Sequence, residues 1–247
     1  MSDQVLYLLM SGVNAVQDRM TATANNLANT NTTAFKAQRP VFTAQPYYHQ
    51  GQPDRVATQT RDQGADFKPG PVAQTGRSLD VALKGQGWIG VQAKDGGTAY
   101  TRNGALFISP TGVLQTNDGH PVLGQGNTPI TLPPLSSVTI GEDGTVSGVV
   151  AGGDPSKVTS FDRIMLANPP AAQMQRRTDG LFGDASGAVQ IDGNVQLQPN
   201  ALEQSNVDSV SMMMNLIENT RMFQMQSGFM HSFTSLGQGA QSPLSLQ

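Results

Sequence analysis

The stretch DQVLYLLMSGVNAVQDRMTATANNLAN, from Asp3 to Asn29, decides the architecture. Leu6, Leu9, Val13, Val16, Met20, Thr23 and Leu27 advance by alternating steps of three and four, a heptad seam with one polar member. No Gly or Pro interrupts the chain between Gly12 and Pro40. The spacing therefore predicts a single helix of about 27 residues, about 40 Å long. Its other face carries Ser11, Asn14, Gln17, Thr21, Asn25 and Asn26, and only Asp18 and Arg19 are charged. Uncharged hydrogen-bonding groups suit contact with other protein better than contact with bulk water. A long helix with one apolar stripe is marginal alone, so this one requires a partner.

A partner is legible at the opposite end. Helical spacing returns between about Asn200 and Leu236, with Val207, Val210, Met214 and Ile217 as a seam, continued less regularly by Phe223, Met230 and Phe233. Asn200 with Glu203, or Ser205 with Asp208, has the spacing of a capping box at its start. Met212, Met213, Met214, Met222, Met225 and Met230 crowd the same segment, as adaptable filling for a core or a junction between chains. The expected fold class is α+β. The N- and C-terminal helices pair as an antiparallel coiled coil, with an extended arm and a central, mainly antiparallel β domain between them in sequence. The expected partition is residues 1–34 for the first helical segment, 35–78 for the arm, 79–198 for the β domain, 199–236 for the second helix and 237–247 for a flexible tail.

The arm is inferred from Pro40, Pro46, Pro53, Pro69 and Pro71 in a stretch without periodicity. The β domain is inferred from short apolar runs such as Val81–Leu83, Trp88–Val91, Ala105–Ile108, Val138–Ile140 and Ile164–Leu166. Asp95-Gly96, Asn103-Gly104, Asp118-Gly119, Asp143-Gly144, Asp179-Gly180 and Asp192-Gly193 punctuate these runs as turns. Two helices side by side leave stripes that other copies can cover. Head-to-tail contacts of that kind build open filaments or tubes.

Composition removes whole classes of function. The 247 residues carry a formal charge of −3, so no basic excess answers nucleic acid or an anionic membrane. Charged residues make up 13%, about half the roughly 25% usual for soluble domains. Cysteine is absent, which excludes disulfides, thiolate zinc sites and a cysteine nucleophile. No run approaches the 18 or so apolar residues of a membrane span, and Asp3 stands where a secretory signal carries Lys or Arg, so neither membrane insertion nor a cleaved signal peptide is expected.

Motifs for chemistry fail on context. Gly85-Gln-Gly87-Trp-Ile-Gly90 has the dinucleotide-binding spacing, but Asp95-Gly96-Gly97 breaks the chain where a helix has to run, so a β-turn or bulge is expected. His49, His120 and His231 lie far apart without ligand-spaced neighbours. Ser186 lacks the spacing of a nucleophile elbow. No catalytic residue, metal ligand or cofactor is expected.

Three stretches carry a family resemblance. Ala24 to Lys36 reads ANNLANTNTTAFK; Thr75 to Gly124 includes TGRSLDVALKGQGWIGV, YTRNGALFISPTGVLQT and GHPVLG; Leu202 to Phe223 reads LEQSNVDSVSMMMNLIENTRMF. In this order they closely resemble the signatures of the bacterial flagellar axial proteins, the rod and hook proteins. The opening Val5–Gly12 is most similar to the proximal rod branch, with the distal rod protein or a short hook-type protein as the alternative. Thr33-Ala34 departs from the Pro-Gly common at this point in the family. The resemblance implies a structural subunit that polymerises head-to-tail into a hollow, torque-transmitting shaft forming part of an export channel. The implied location is the rod of the basal body in the periplasmic space. Implied partners are other copies, neighbouring proximal rod proteins, the distal rod protein and the flagellar export apparatus. The expected assembly interface is Leu6, Leu9, Val13, Val16, Met20, Leu27, Val207, Val210, Met214, Ile217 and Phe223. Asn26, Leu27, Ala28, Asn29, Phe35 and Lys36 form the family motif. A β-rich binding module or fibre-like adhesin is the reading from another class, but it leaves both seamed ends idle.

Overall fold

The computed structural model describes residues 2–49, 52–185, 187 and 191–239, with the side chains of 9–43, 64–185, 187, 191–232 and 235. The chain divides into two compact units, each assembled from discontinuous segments. The first contains α1 (Ser2–Ala28), the strands β1 (Gln38–His49) and β2 (Gln52–Ala65) up to Gly64, and the chain from Asp208 onward. The second takes residues 29–37 and 65–207.

In the first unit α1 packs against the last helix, α2 (Ser209–Gly239). The pair is antiparallel: Asn219 donates to the Thr23 hydroxyl at 3.3 Å, and further along α2 the Gln226 amide lies over Gly12. Val16, Ala22 and Thr23 are buried on α1, and Leu9, Val13, Met20 and Leu27 are half-buried, so the described part of the heptad faces protein. The Leu6 side chain lies outside the described residues. β1 and β2 form a two-stranded ribbon in the segment read as an arm. Pro40 and Pro46 mask the strand signal in sequence, yet a ribbon has open edges where a missing N–H is tolerated. Asn26 fastens α1 to β1 by imitating a backbone peptide. Its amide donates to the Gln38 carbonyl at 2.9 Å and accepts from the Gln38 N–H at 2.7 Å.

The second unit is built from β3 (Val72–Gln74), β4 (Val81–Lys84), β5 (Trp88–Gln92), β6 (Thr98–Thr101), β7 (Leu106–Ile108), β8 (Leu114–Thr116), β9 (Leu135–Ile140), β10 (Thr145–Val150), β11 (Thr159–Arg163), β12 (Leu166–Ala167), β13 (Met174–Arg176), β14 (Phe182–Asp184), β15 (Gln196–Pro199) and β16 (Ala201–Glu203). A five-stranded sheet runs β12-β5-β6-β14-β13 and a three-stranded sheet β11-β10-β9, with β15-β4, β16-β3 and β7-β8 as separate pairs. The described pairings are antiparallel, as the alternating runs predict. Ile89, Val91, Leu106, Leu114, Ile140, Val146 and Ile164 centre the main core. A second cluster stacks Trp88 on Phe182, ring centroids 4.7 Å apart, with Phe67 edge-on to both.

Three expected boundaries move. The second helix begins at Ser209 and not near 199, because residues 201–203 form β16 against β3 and Glu203 is turned into the protein. Asp208 caps the helix, its carboxylate accepting from the Ser211 N–H at 3.1 Å. The same pairing, with residues 29–37, makes the β unit larger than 79–198. The expected tail starts at 237, whereas α2 continues through Gly239; residues 240–247 lie outside the described residues.

The Gly85–Gly90 motif is turn and strand. Gly85 and Gly87 have φ of +82° and +136°, and Trp88 begins β5. A Cβ on Gly87 falls 2.6 Å from Val195 Cγ1. Gly87→Ala thus combines a disfavoured backbone with a clash and is expected to cost about 2 kcal/mol. Gly96→Ala, at φ +81° in open space, meets only the backbone penalty, about 1 kcal/mol. Thermal denaturation of the two variants checks the order.

Candidate functional site

Within the β unit, three charges distant in sequence meet where water does not reach. Lys36, Arg102 and Glu203 are 1%, 3% and 1% exposed. Lys36 Nζ donates to Glu203 Oε1 at 2.5 Å and to the Lys68 carbonyl at 2.8 Å. Arg102 Nε and Nη2 lie 2.8 and 2.7 Å from Glu203 Oε2. Its Nη1 and Nη2 also donate to the carbonyls of Gly87 at 2.6 Å and Gly85 at 2.8 Å. The Gly70 N–H adds a fourth donor to the carboxylate at 2.9 Å. Burial alone raises the Glu203 carboxyl, but hydrogen bonds and charge from Arg102, then Lys36 and Gly70, outweigh it and hold the group below its ordinary 4.5. Burial lowers the Lys36 ammonium, Arg102 pushes the same way, and Glu203 opposes both.

Around this clamp the motif residues take definite places. Asn29 opens a turn, accepting from the Thr32 N–H at 3.2 Å and the Thr32 hydroxyl at 3.0 Å. Ala34 donates its N–H to the Glu203 carbonyl at 2.8 Å and sits at φ +55°, a left-handed conformation that an alanine resists. Phe35 lies 5.1 Å beneath the Arg176 guanidinium, whose Nη2 donates to the Lys36 carbonyl at 2.5 Å. Leu27 is half-buried and Ala28 exposed. Asn206 gathers three strands of chain: its Oδ1 accepts from the Ala37 N–H at 2.8 Å, and its Nδ2 donates to the carbonyls of Asp66 at 2.8 Å and Lys68 at 3.0 Å.

In the helical unit, α2 presents two stripes. Met212, Leu216, Asn219, Phe223, Gln226 and Met230 are half-buried at heptad spacing, and Asn219 and Gln226 meet α1. Of the expected seam, Phe223 belongs here. Val210, Met214 and Ile217 do not: they are 61%, 59% and 56% exposed, with Met213 at 52% and Met225 at 60% on the same side. Val207 belongs to the β unit, half-buried ahead of the helix. The apolar side chains read as one seam are thus divided between an inner stripe used by α1 and an outer one that nothing in the described chain covers.

Among the described residues the histidines are not gathered into one site. His120 is buried in the wall of a cleft of about 480 Å³ that Asn31, Phe35, Arg102, Asp118 and Phe182 also line; His231 is exposed, and the His49 side chain lies outside the described residues. Among the described residues no group of three or more His, Asp or Glu has metal-binding geometry.

Glu203→Gln leaves two cations buried without a counter-charge and is expected to destabilise the β unit by about 3–5 kcal/mol at pH 7. Because the carboxyl is depressed in the folded state, its contribution is complete above pH 4.5 and is lost as pH falls through the lower folded value. The stability gap between parent and variant therefore narrows in acid, which denaturant titrations at several pH values measure. Ala34→Gly has the opposite sign and is expected to stabilise by about 1 kcal/mol, read as a rise in melting temperature.

Comparison of the sequence with known proteins matches it to a family. Residues 6–36 match the family described as flagella basal body rod protein, residues 82–148 the flagellar hook protein FlgE/F/G D1 domain, and residues 198–238 the flagellar basal body rod FlgEFG protein C-terminal family. The chain is 38% identical over 231 residues to the flagellar basal-body rod protein FlgF of Salmonella typhimurium and 36% identical to that of Escherichia coli, covering 91% of each chain. It is 32% identical to FlgG of Agrobacterium fabrum, over 91% of this chain and 93% of the relative. No helix among the described residues is long and apolar enough to cross a membrane. The chain belongs to the flagellar basal-body rod protein family that includes FlgF and FlgG.

Proposed function

We propose that this protein acts on the proximal side of the flagellar rod, stacking head-to-tail with copies of itself and with neighbouring rod proteins into a hollow shaft. Family membership makes it a structural rod subunit and not an enzyme. The observation that carries the finer reading is the outer stripe of α2, where Val210, Met213, Met214, Ile217 and Met225 stand in solvent beside few charges. A stripe of this kind on a soluble chain marks a protein contact. Contact of this stripe with a different surface of the next subunit does not close on itself, as an extended shaft requires. Identity to FlgF proteins at 38% and 36%, against 32% for the FlgG protein compared, supports the proximal position, with FlgG as its distal neighbour. A basal body that spans the periplasm and a flagellum-specific export route complete the reading.

The interface is proposed to use Val210, Met214 and Ile217 directly. Leu9, Val13, Val16, Met20, Leu27 and Phe223 act indirectly by holding the helix pair together. Ile217→Asp puts a carboxylate on the outer stripe without touching the inner one. Burying it unpaired costs several kcal/mol in every copy. Cells carrying this variant are expected to lose rod incorporation and motility, while the thermal transition of the purified full-length variant stays within a degree or so of the parent. Normal rods in basal bodies purified from such cells contradict the assignment of the stripe.

A further inference from the structure

The outer stripe of α2 is chemically unusual in one respect: three of its exposed apolar side chains are thioethers. Met213, Met214 and Met225 are 52%, 59% and 60% exposed, whereas Met165 and Met174, in the β unit, are 0% and 6% exposed. The chain has no cysteine, and among the described residues these thioethers, with Met10 at 48% on α1, are the most exposed sulfur. They share the stripe with Val210 and Ile217, side chains that no oxidant of this class alters.

We propose that Met213, Met214 and Met225 are a reversible oxidation site that switches the stripe from adhesive to non-adhesive before a subunit is incorporated. The proposal rests on the reading of this stripe as the assembly surface. The oxidant class is a peroxide. In the reaction one oxygen passes to the thioether: the O–O bond breaks, an S–O bond forms, and sulfur gives up two electrons. The proton of the transferred hydroxyl moves to the departing hydroxide, which leaves as water. The product sulfoxide is a strong hydrogen-bond acceptor on a formerly apolar side chain, and burying it against apolar neighbours without a donor is unfavourable. Return requires a thiol-dependent sulfoxide reductase, which takes up the oxygen as water while its own thiols become a disulfide. Once neighbours cover the stripe the thioethers are shielded, so the switch acts on free subunits.

The test uses the full chain, treated with hydrogen peroxide and mapped by peptide mass, with self-association followed by sedimentation before and after treatment. Met213, Met214 and Met225 are expected to gain oxygen about tenfold faster than Met165 and Met174. The concentration needed for association is then expected to rise about tenfold and to recover with a sulfoxide reductase and dithiothreitol. A variant with Met213→Leu, Met214→Leu and Met225→Leu keeps the apolar surface and is expected to associate equally before and after peroxide. If that variant loses association as the parent does, Met10 or another site is responsible and the inference is overturned. Equal rates of oxidation at exposed and buried methionines overturn it as well. An untreated parent chain that never associates overturns the rod reading and the inference together.

Discussion

A single carboxylate holds the β unit closed. Glu203 lies inside the protein with two cations and a backbone N–H directed at it, and each donor comes from a different part of the chain. Removing a carboxylate from water is costly, and only several good hydrogen bonds at once offset that. The arrangement is all-or-none: the residues before α2, the turn after α1 and the β6 strand end must be in place together. Arg102 extends the constraint to the Gly85–Gly87 turn, whose carbonyls accept its remaining N–H groups. Structure around the clamp can therefore be irregular in backbone and still be unique.

The helical unit obeys a different logic. α1 buries its seam against α2, and α2 answers with a stripe that includes Asn219 and Gln226. Apolar side chains also stand on the opposite side of α2, where Val210, Met213, Met214, Ile217 and Met225 are exposed. Scattered single apolar side chains are normal on a surface, whereas several in one stripe suit contact with other protein.

Much of this was legible in the sequence and some was not. Heptad spacing from Leu9 to Leu27 identified α1 and its inward face, and alternating apolar runs between Asp-Gly turns identified the β unit. The Gly85–Gly90 motif was correctly read as a turn because no helix could follow it. The clamp escaped notice because sequence separation hides it: ion pairing depends on three-dimensional proximity, which no periodicity encodes. A signal existed, however. In a chain with only 13% charged residues, each of the three family stretches supplies one clamp charge, Lys36, Arg102 and Glu203. Of the two cap spacings, Asn200 with Glu203 and Ser205 with Asp208, only the second lies at the helix start, where Asp208 accepts from Ser211; spacing alone does not distinguish a cap from a buried partner such as Glu203. The two stripes of α2 were merged because methionine fits either face, and the ribbon at 38–65 was hidden by prolines that open strand edges tolerate.

Pairing of β3 and β4 with β16 and β15 brings residues 72–84 against residues 196–203, near the two ends of the β unit's sequence. Contacts of such long range cannot form while the polypeptide is still emerging from a narrow exit, in either direction. A chain threaded N-terminus first stays open until its 203rd residue is free, and one missing that residue has no counter-ion for Lys36 and Arg102. Closure of the β unit thereby requires the chain through Glu203, and a chain cut before that residue lacks the clamp.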